Sequence, residues 1–162
     1  MLQELLNDHI MDPKNPDKIF KLAREYDRLE QGAMAVSLYL KTADLSDNAL
    51  LQYKSLLGIA KCYWRQGNRT FTVESSLLDA CGVMPELPEA HYFLSLLYAE
   101  QQKWKSSYLH ARLGLGKPDG CVHSAWNGWG ALLPRIRVPF RIHTVKDAFV
   151  GVGVMLYPDK LA

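Results

Sequence analysis

Between residues 16 and 115 the apolar positions return every third or fourth residue, the spacing that gathers side chains on one face of an α-helix. The pattern lapses at residues 45–48, 67–68, 82–88 and 101–103, where Asp, Asn, Gly, Pro and Gln collect. This predicts helices of about a dozen residues arranged as antiparallel pairs. A shorter apolar set, Leu2, Leu5, Leu6 and Ile10, predicts a lead helix over the first ten residues. It is closed off by Asp12-Pro13 and Asn15-Pro16. After Gly116 the texture changes. Gly, Pro and Trp crowd residues 117–134, and then Ile136, Val138, Phe140 and Ile142 alternate with Arg135, Arg137, Arg141 and His143. A period of two replaces a period near 3.6, which predicts a strand; AFVGVGVMLY is its partner across a turn near Lys146-Asp147.

The helical part repeats itself. L-A-x-x-Y at Leu22, Ala23 and Tyr26 returns as I-A-x-x-Y at Ile59, Ala60 and Tyr63, and as L-S-x-x-Y at Leu94, Ser95 and Tyr98, with tyrosine spacings of 37 and 35. Second helices follow in step: Val36, Leu40 and Ala43 answer Val73, Leu77 and Ala80, with Ser107, Ala111 and Gly114 as a looser third set. A period of this length marks stacked helical hairpins, because one hairpin cannot bury its apolar faces alone. The large, small and aromatic triplet has a packing reason: the small residue lets the paired helices approach closely.

This arrangement resembles the tetratricopeptide repeat, written W-x2-L-G-x2-Y, then A-x3-F, then P. Ala23, Ala60 and Ser95 stand at the small position, Ile19, Leu56 and His91 at the Trp position, and Pro85 closes the second repeat. The first two repeats read as one residue longer than usual at the inner turn. A second resemblance rests on the runs DPKNPDKIFKLAREYDRLEQGAMAVSLYLKTADLSD, LLQYKSLLGIAKCYWRQGN and PELPEAHYFLSLLYAEQQKWKSSYLHARLGL. These look like the helical-repeat region beside the catalytic domain of some bacterial and phage glycosyltransferases. That resemblance implies an accessory part without the chemistry, since the chain holds no D-x-D motif for a metal and a sugar-nucleotide diphosphate.

The expected fold is all-α, a right-handed superhelix of about three antiparallel helix pairs. Residues 1–16 form a lead helix and linker, residues 17–49, 50–86 and 87–116 the repeats, and residues 117–162 an irregular or β-hairpin tail. Nineteen Lys and Arg against 17 Asp and Glu leave a formal charge of +2, too small to imply nucleic acid on its own. Cys62, Cys81 and Cys121 form neither a C-x-x-C pair nor a disulfide framework, and Cys121 with His123 is the one close Cys/His pair, so no metal is expected. His91 takes an inward-facing repeat position and reads as a packed core histidine. No nucleophile motif or phosphate-cradling loop is present, and Gly151-Val152-Gly153-Val154 is only a fragment of a dinucleotide fingerprint. An N-terminus with two acids before its first base does not read as a secretory signal, and no stretch approaches the roughly 20 apolar residues of a membrane span. The expectation is a cytoplasmic, non-catalytic protein without cofactor.

Binding chemistry is sought on the faces of the first helices. Counting from the tyrosines places Phe20, Arg24, Asp27 and Arg28 on the first, Lys54, Leu57, Lys61, Trp64 and Arg65 on the second, and Glu89, Tyr92, Leu96 and Glu100 on the third. The expected peptide groove is Phe20, Arg24, Arg28, Lys54, Lys61, Trp64, Arg65 and Tyr92, basic in its middle with aromatics beside it. Arg grips carboxylates and aromatics supply rigid contact area, so the partner is an acidic or extended peptide of another protein. Replacing Lys61 and Arg65 with Glu should then abolish capture without changing helicity. Against this stands the reading of the same charges as an ordinary solvated helix surface. Two alternatives remain: an accessory role with a glycosyltransferase as partner, and weak nucleic-acid binding through the arginine strand. Exposed Trp126 and Trp129 also allow self-association.

Overall fold

A computed structural model describes residues 1–115 of the chain. The predicted strands, Trp126, Trp129, Cys121 and His123 lie outside the described residues. Those residues are helical throughout: α1 (Leu2–Met11), α2 (Pro16–Arg28), α3 (Gly32–Leu45), α4 (Ala49–Gln66), α5 (Thr70–Val83), α6 (Glu89–Glu100) and α7 (Trp104–Leu115). No strand occurs among them. They fall into two compact units, the first Met1–Met84 and the second opening at Pro85.

Asparagine starts both first helices of the first unit. The Asn15 side-chain oxygen accepts from the backbone N–H of Asp17 at 3.1 Å and of Lys18 at 3.3 Å, with Pro16 entering the helix where its missing N–H costs nothing. Asn48 does the same for Leu50 at 2.9 Å and Leu51 at 3.3 Å. In the first unit α2 packs on α3, α4 packs on α5 and on α3, and α2 also approaches α4; in the second, α6 packs on α7.

The first helices leave by one and the same turn. The residue four beyond each tyrosine has a left-handed backbone: Glu30 at φ 59°, Gly67 at φ 80° and Gln102 at φ 58°. Its N–H donates to the carbonyl one residue past the tyrosine, at 3.0 Å in all three cases, to Asp27, Trp64 and Ala99. In the first and third repeats the next N–H also donates back to the tyrosine carbonyl, Gln31 to Tyr26 at 2.9 Å and Lys103 to Tyr98 at 2.8 Å. These bonds satisfy carbonyls that a helix end otherwise leaves without partners.

The second helices correct the predicted register. Leu40 is 48% exposed, while the buried positions of α3 are Ala35, Val36, Leu38, Tyr39 and Thr42. Ala35, Tyr39 and Thr42 stand 9, 13 and 16 residues past Tyr26, as Ser107, Ala111 and Gly114 stand past Tyr98. The matching positions in α5, Val73, Leu77 and Ala80, come one residue later past Tyr63. So the extra residue belongs to the second repeat alone, between Gly67 and the start of α5 at Thr70. Sequence alone misassigned it because Val36 and Leu40 are as apolar as Ala35 and Tyr39.

The core of the first unit gathers Ile19, Leu22, Ala23, Ala35, Val36, Leu38, Tyr39, Ile59 and Cys62, with Leu2, Leu5 and Leu6 of α1 packed against it. Ile10 does not join them and is 71% exposed. The small positions of the repeat are fully buried, Ala23, Ala60 and Ser95 each at 0%. The Tyr39 ring of α3 packs directly over the backbone of Gly58 in α4. A Cβ there would come within 2.6 Å of Cε2 and Cζ of Tyr39 on α3. In the second unit Ser107 Oγ of α7 donates to the Ser95 carbonyl of α6 at 2.7 Å, joining the two helices through buried small polar residues.

Candidate functional site

The residues expected to bind are placed by α2 and α4, which meet in the first unit. Phe20, Arg24, Asp27 and Arg28 follow one another at helical spacing on α2, as do Lys54, Leu57, Lys61, Trp64 and Arg65 on α4. The centre of this surface is Asp27, buried although it is a carboxylate. Lys61 Nζ pairs with its Oδ2 and Arg65 with its Oδ1, both across from α4. Cys62 Sγ donates to Oδ1 at 3.5 Å and accepts from Arg65 at 3.8 Å. A buried carboxylate needs such partners, since desolvating it alone costs several kcal/mol.

The cluster shapes its neighbours. Burial first, and then the Asp27 charge, push the Cys62 thiol up to about 11. The same two causes raise the Tyr39 hydroxyl well above its ordinary range. Both groups are therefore neutral at physiological pH. Tyr39 also lies against Phe20, ring centroids 5.7 Å apart.

The other predicted cations divide. Arg28 is clamped by Glu25, Nε to Oε2 at 2.9 Å and the terminal nitrogen to Oε1 at 2.7 Å. The hydrogen bond from Arg28 holds the Glu25 carboxyl below the usual carboxylate range. Arg24 is exposed and Lys54 half-buried, and neither is in an ion pair among the described residues. The predicted aromatics divide too. Phe20 is half-buried, but Trp64 is buried at 6% exposure, so its indole is not a surface contact. Tyr92 belongs to α6 in the second unit and is fully buried, as is Glu89, while Glu100 is exposed. The structure thus brings Phe20, Arg24, Asp27, Lys61 and Arg65 to the faces of two neighbouring helices and leaves Trp64 and Tyr92 out of solvent.

What sequence reading missed is Asp27 as the shared counter-ion. The signal was faint but present: Asp27 follows Tyr26 by one residue, and Lys61 and Arg65 flank Tyr63 by two on either side. His91 is buried as expected, its Nδ1 3.1 Å from Nδ1 of His110 on α7. Among the described residues no group of three or more His, Cys, Asp or Glu is arranged to hold a metal. Nor is any helix among them long and apolar enough to cross a membrane.

Paired helices that recur with one exit turn, a left-handed residue four past each tyrosine and a buried small residue three before it define a tetratricopeptide-like helical-hairpin fold. Among solved structures the chain is similar to MamA. One crystal structure of MamA is 13% identical with a TM-score of 0.63, covering 97% of this chain and 85% of that one. A second is 14% identical with a TM-score of 0.62, covering 98% and 82%. The likeness is one of fold. No protein-family model and no curated protein matches the sequence. These comparisons give no support to the glycosyltransferase resemblance.

Proposed function

We propose that the chain is a non-catalytic interaction scaffold that takes an acidic or extended peptide against the joined faces of α2 and α4. The observation that carries this reading is an excess of cations. Arg24, Lys54, Lys61 and Arg65 share these faces with two carboxylates, Asp27 and the exposed Asp17 seven residues before Arg24, because Glu25 and Arg28 satisfy each other. A lysine ammonium has three donors and a guanidinium five, so Lys61 and Arg65, with side chains 16% and 28% exposed, keep donors after serving Asp27. Phe20 supplies an apolar contact at the edge, and the rest of the peptide would run along exposed Arg24 and half-buried Lys54.

This reading changes the test. Lys61→Glu with Arg65→Glu would set two carboxylates against buried Asp27, so that pair of changes unfolds the site along with its charge. Arg24→Glu with Lys54→Glu leaves Asp27 and its partners in place. Anisotropy of a labelled Asp/Glu-rich peptide on the intact chain should show affinity falling by about tenfold or more in that variant, about 1.4 kcal/mol, with an amide-substituted peptide binding weakly to both proteins. Equal affinity of variant and parent for the acidic peptide would end the proposal.

A further inference from the structure

The outer faces of α5 and α7 are complementary, and they occupy equivalent places in two repeats. The only charged side chains within α5 are Glu74 and Asp79, both acidic, and those within α7 are Lys105 and Arg112, both basic; the cations just before the two helices, Arg69 and Lys103, lie over the rings of Tyr63 and Tyr98. Each helix buries one stripe, Val73, Leu77 and Ala80 in α5 and Ser107, Ala111 and Gly114 in α7, and turns the opposite stripe to solvent. Those outer stripes carry large apolar groups. Phe71 is 83% exposed and Leu78 44%, one above the other seven residues apart, with Gly82 beyond them in open space. On α7 Leu109 is 56% exposed and Leu113 42%, while Trp104, 47% exposed, stands at the helix start on the side of buried Ala111. Asp79, Lys105 and Arg112 take part in no ion pair among the described residues.

Solvated helix faces rarely expose this much apolar surface, and each face here pairs it with charge of a single sign. An acidic partner for α7 and a basic partner for α5 are both present on the surface of the same chain. We infer that the protein associates with itself through a heterologous contact, in which the Phe71, Leu78 and Asp79 face of one molecule docks on the Lys105, Leu109, Arg112 and Leu113 face of another. The Phe71 ring and the leucines supply the contact area, and the opposite charges set its register and steer the encounter. One helix face on each side is a small interface, so association is concentration-dependent and weakens with salt. This inference is independent of the α2 and α4 surface, since none of its residues lies there.

Sedimentation velocity on the intact chain tests it. The average mass should rise with protein concentration at low salt and fall back toward 18.4 kDa at high salt. An α5 variant, Phe71→Ser with Asp79→Lys, should stay at the mass of one chain, as should an α7 variant, Lys105→Glu with Arg112→Glu. All four positions are on exposed faces, and circular dichroism checks that helicity is unchanged. Mixing the two variants is decisive: each keeps one intact half, so the mixture should form a species of two chains that grows no further. A parent that stays at one-chain mass at every concentration, variants that associate like the parent, or a mixture of the two that forms nothing larger than one chain would overturn the inference.

Discussion

The hairpins α2–α3 and α6–α7 share a backbone turn and a register of buried positions, but not the side chains that hold them. Glu30 and Gln102 match to within a degree in φ, and the hydrogen bonds around them match to within about a tenth of an ångström. Yet α2 is a sided helix, burying Ile19, Leu22, Ala23, Glu25 and Asp27 and exposing most of its other charges. In α6 every residue from Glu89 to Ala99 is buried. The first hairpin is tied to α4 by an ionic cluster; the third is joined by one serine hydroxyl and a histidine pair. Turn geometry is set by a few backbone positions counted from the tyrosine, whereas cohesion is set by side chains that differ from repeat to repeat. α6 carries apolar residues on every side, with Glu89, His91 and Ser95 buried among them, whereas α2 has one apolar stripe.

The comparison breaks most sharply at Asp27. Asp27→Ala should lower the unfolding free energy by about 3–5 kcal/mol in chemical denaturation, because it strands Lys61 and Arg65 beside an apolar gap. Gly58→Ala comes next, at about 1–3 kcal/mol, since its methyl would have to displace the Tyr39 ring at 2.6 Å. Adding Tyr39→Leu to it should recover part of the loss.

Cys62 gives a pH test of the same cluster. Its folded value, about 11, lies above the roughly 8.5 of a free thiol, so the stability it contributes is whole below about 8.5 and drains away as pH rises toward 11. Between those limits the slope should reach about 1.4 kcal/mol per pH unit, and Cys62→Ala should flatten it over the lower part of that window, before unfolded tyrosines begin to titrate. The smallest effect sharpens the likeness of the two hairpins. Glu30→Gly and Gln102→Gly relieve a left-handed backbone at a non-glycine residue, offset by the greater freedom of glycine in the unfolded chain. Each should change stability by no more than about 1 kcal/mol, and by the same amount in the two hairpins. Unequal shifts would show that the turns are alike in shape only.

Much of the helical frame was legible in the sequence because it depends on periodic burial. Tyr26, Tyr63 and Tyr98 mark equivalent turns, and Ala23, Ala60 and Ser95 are buried as the packing argument required. Gly67 announced its left-handed turn, but Glu30 and Gln102 did not, since neither side chain favours that conformation. The site was less legible. Spacing puts Arg24 and Arg28 on α2 and Lys61 and Arg65 on α4, yet which of them already hold a carboxylate depends on distances between side chains that a periodicity cannot supply. Trp64 shows the same limit: spacing assigns a face, but burial follows from what lies against it.

The Asp27 cluster also decides how the chain can be cut. Both counter-ions of a carboxylate in the first hairpin are lodged on the opening helix of the second, so that hairpin is not a portable cassette. Grafted elsewhere alone, it would carry a bare acid at its centre. The shortest stretch that keeps its charges matched runs from α2 through α4, and any recombination, shortened variant or designed array built from this protein has to move those three helices as one piece.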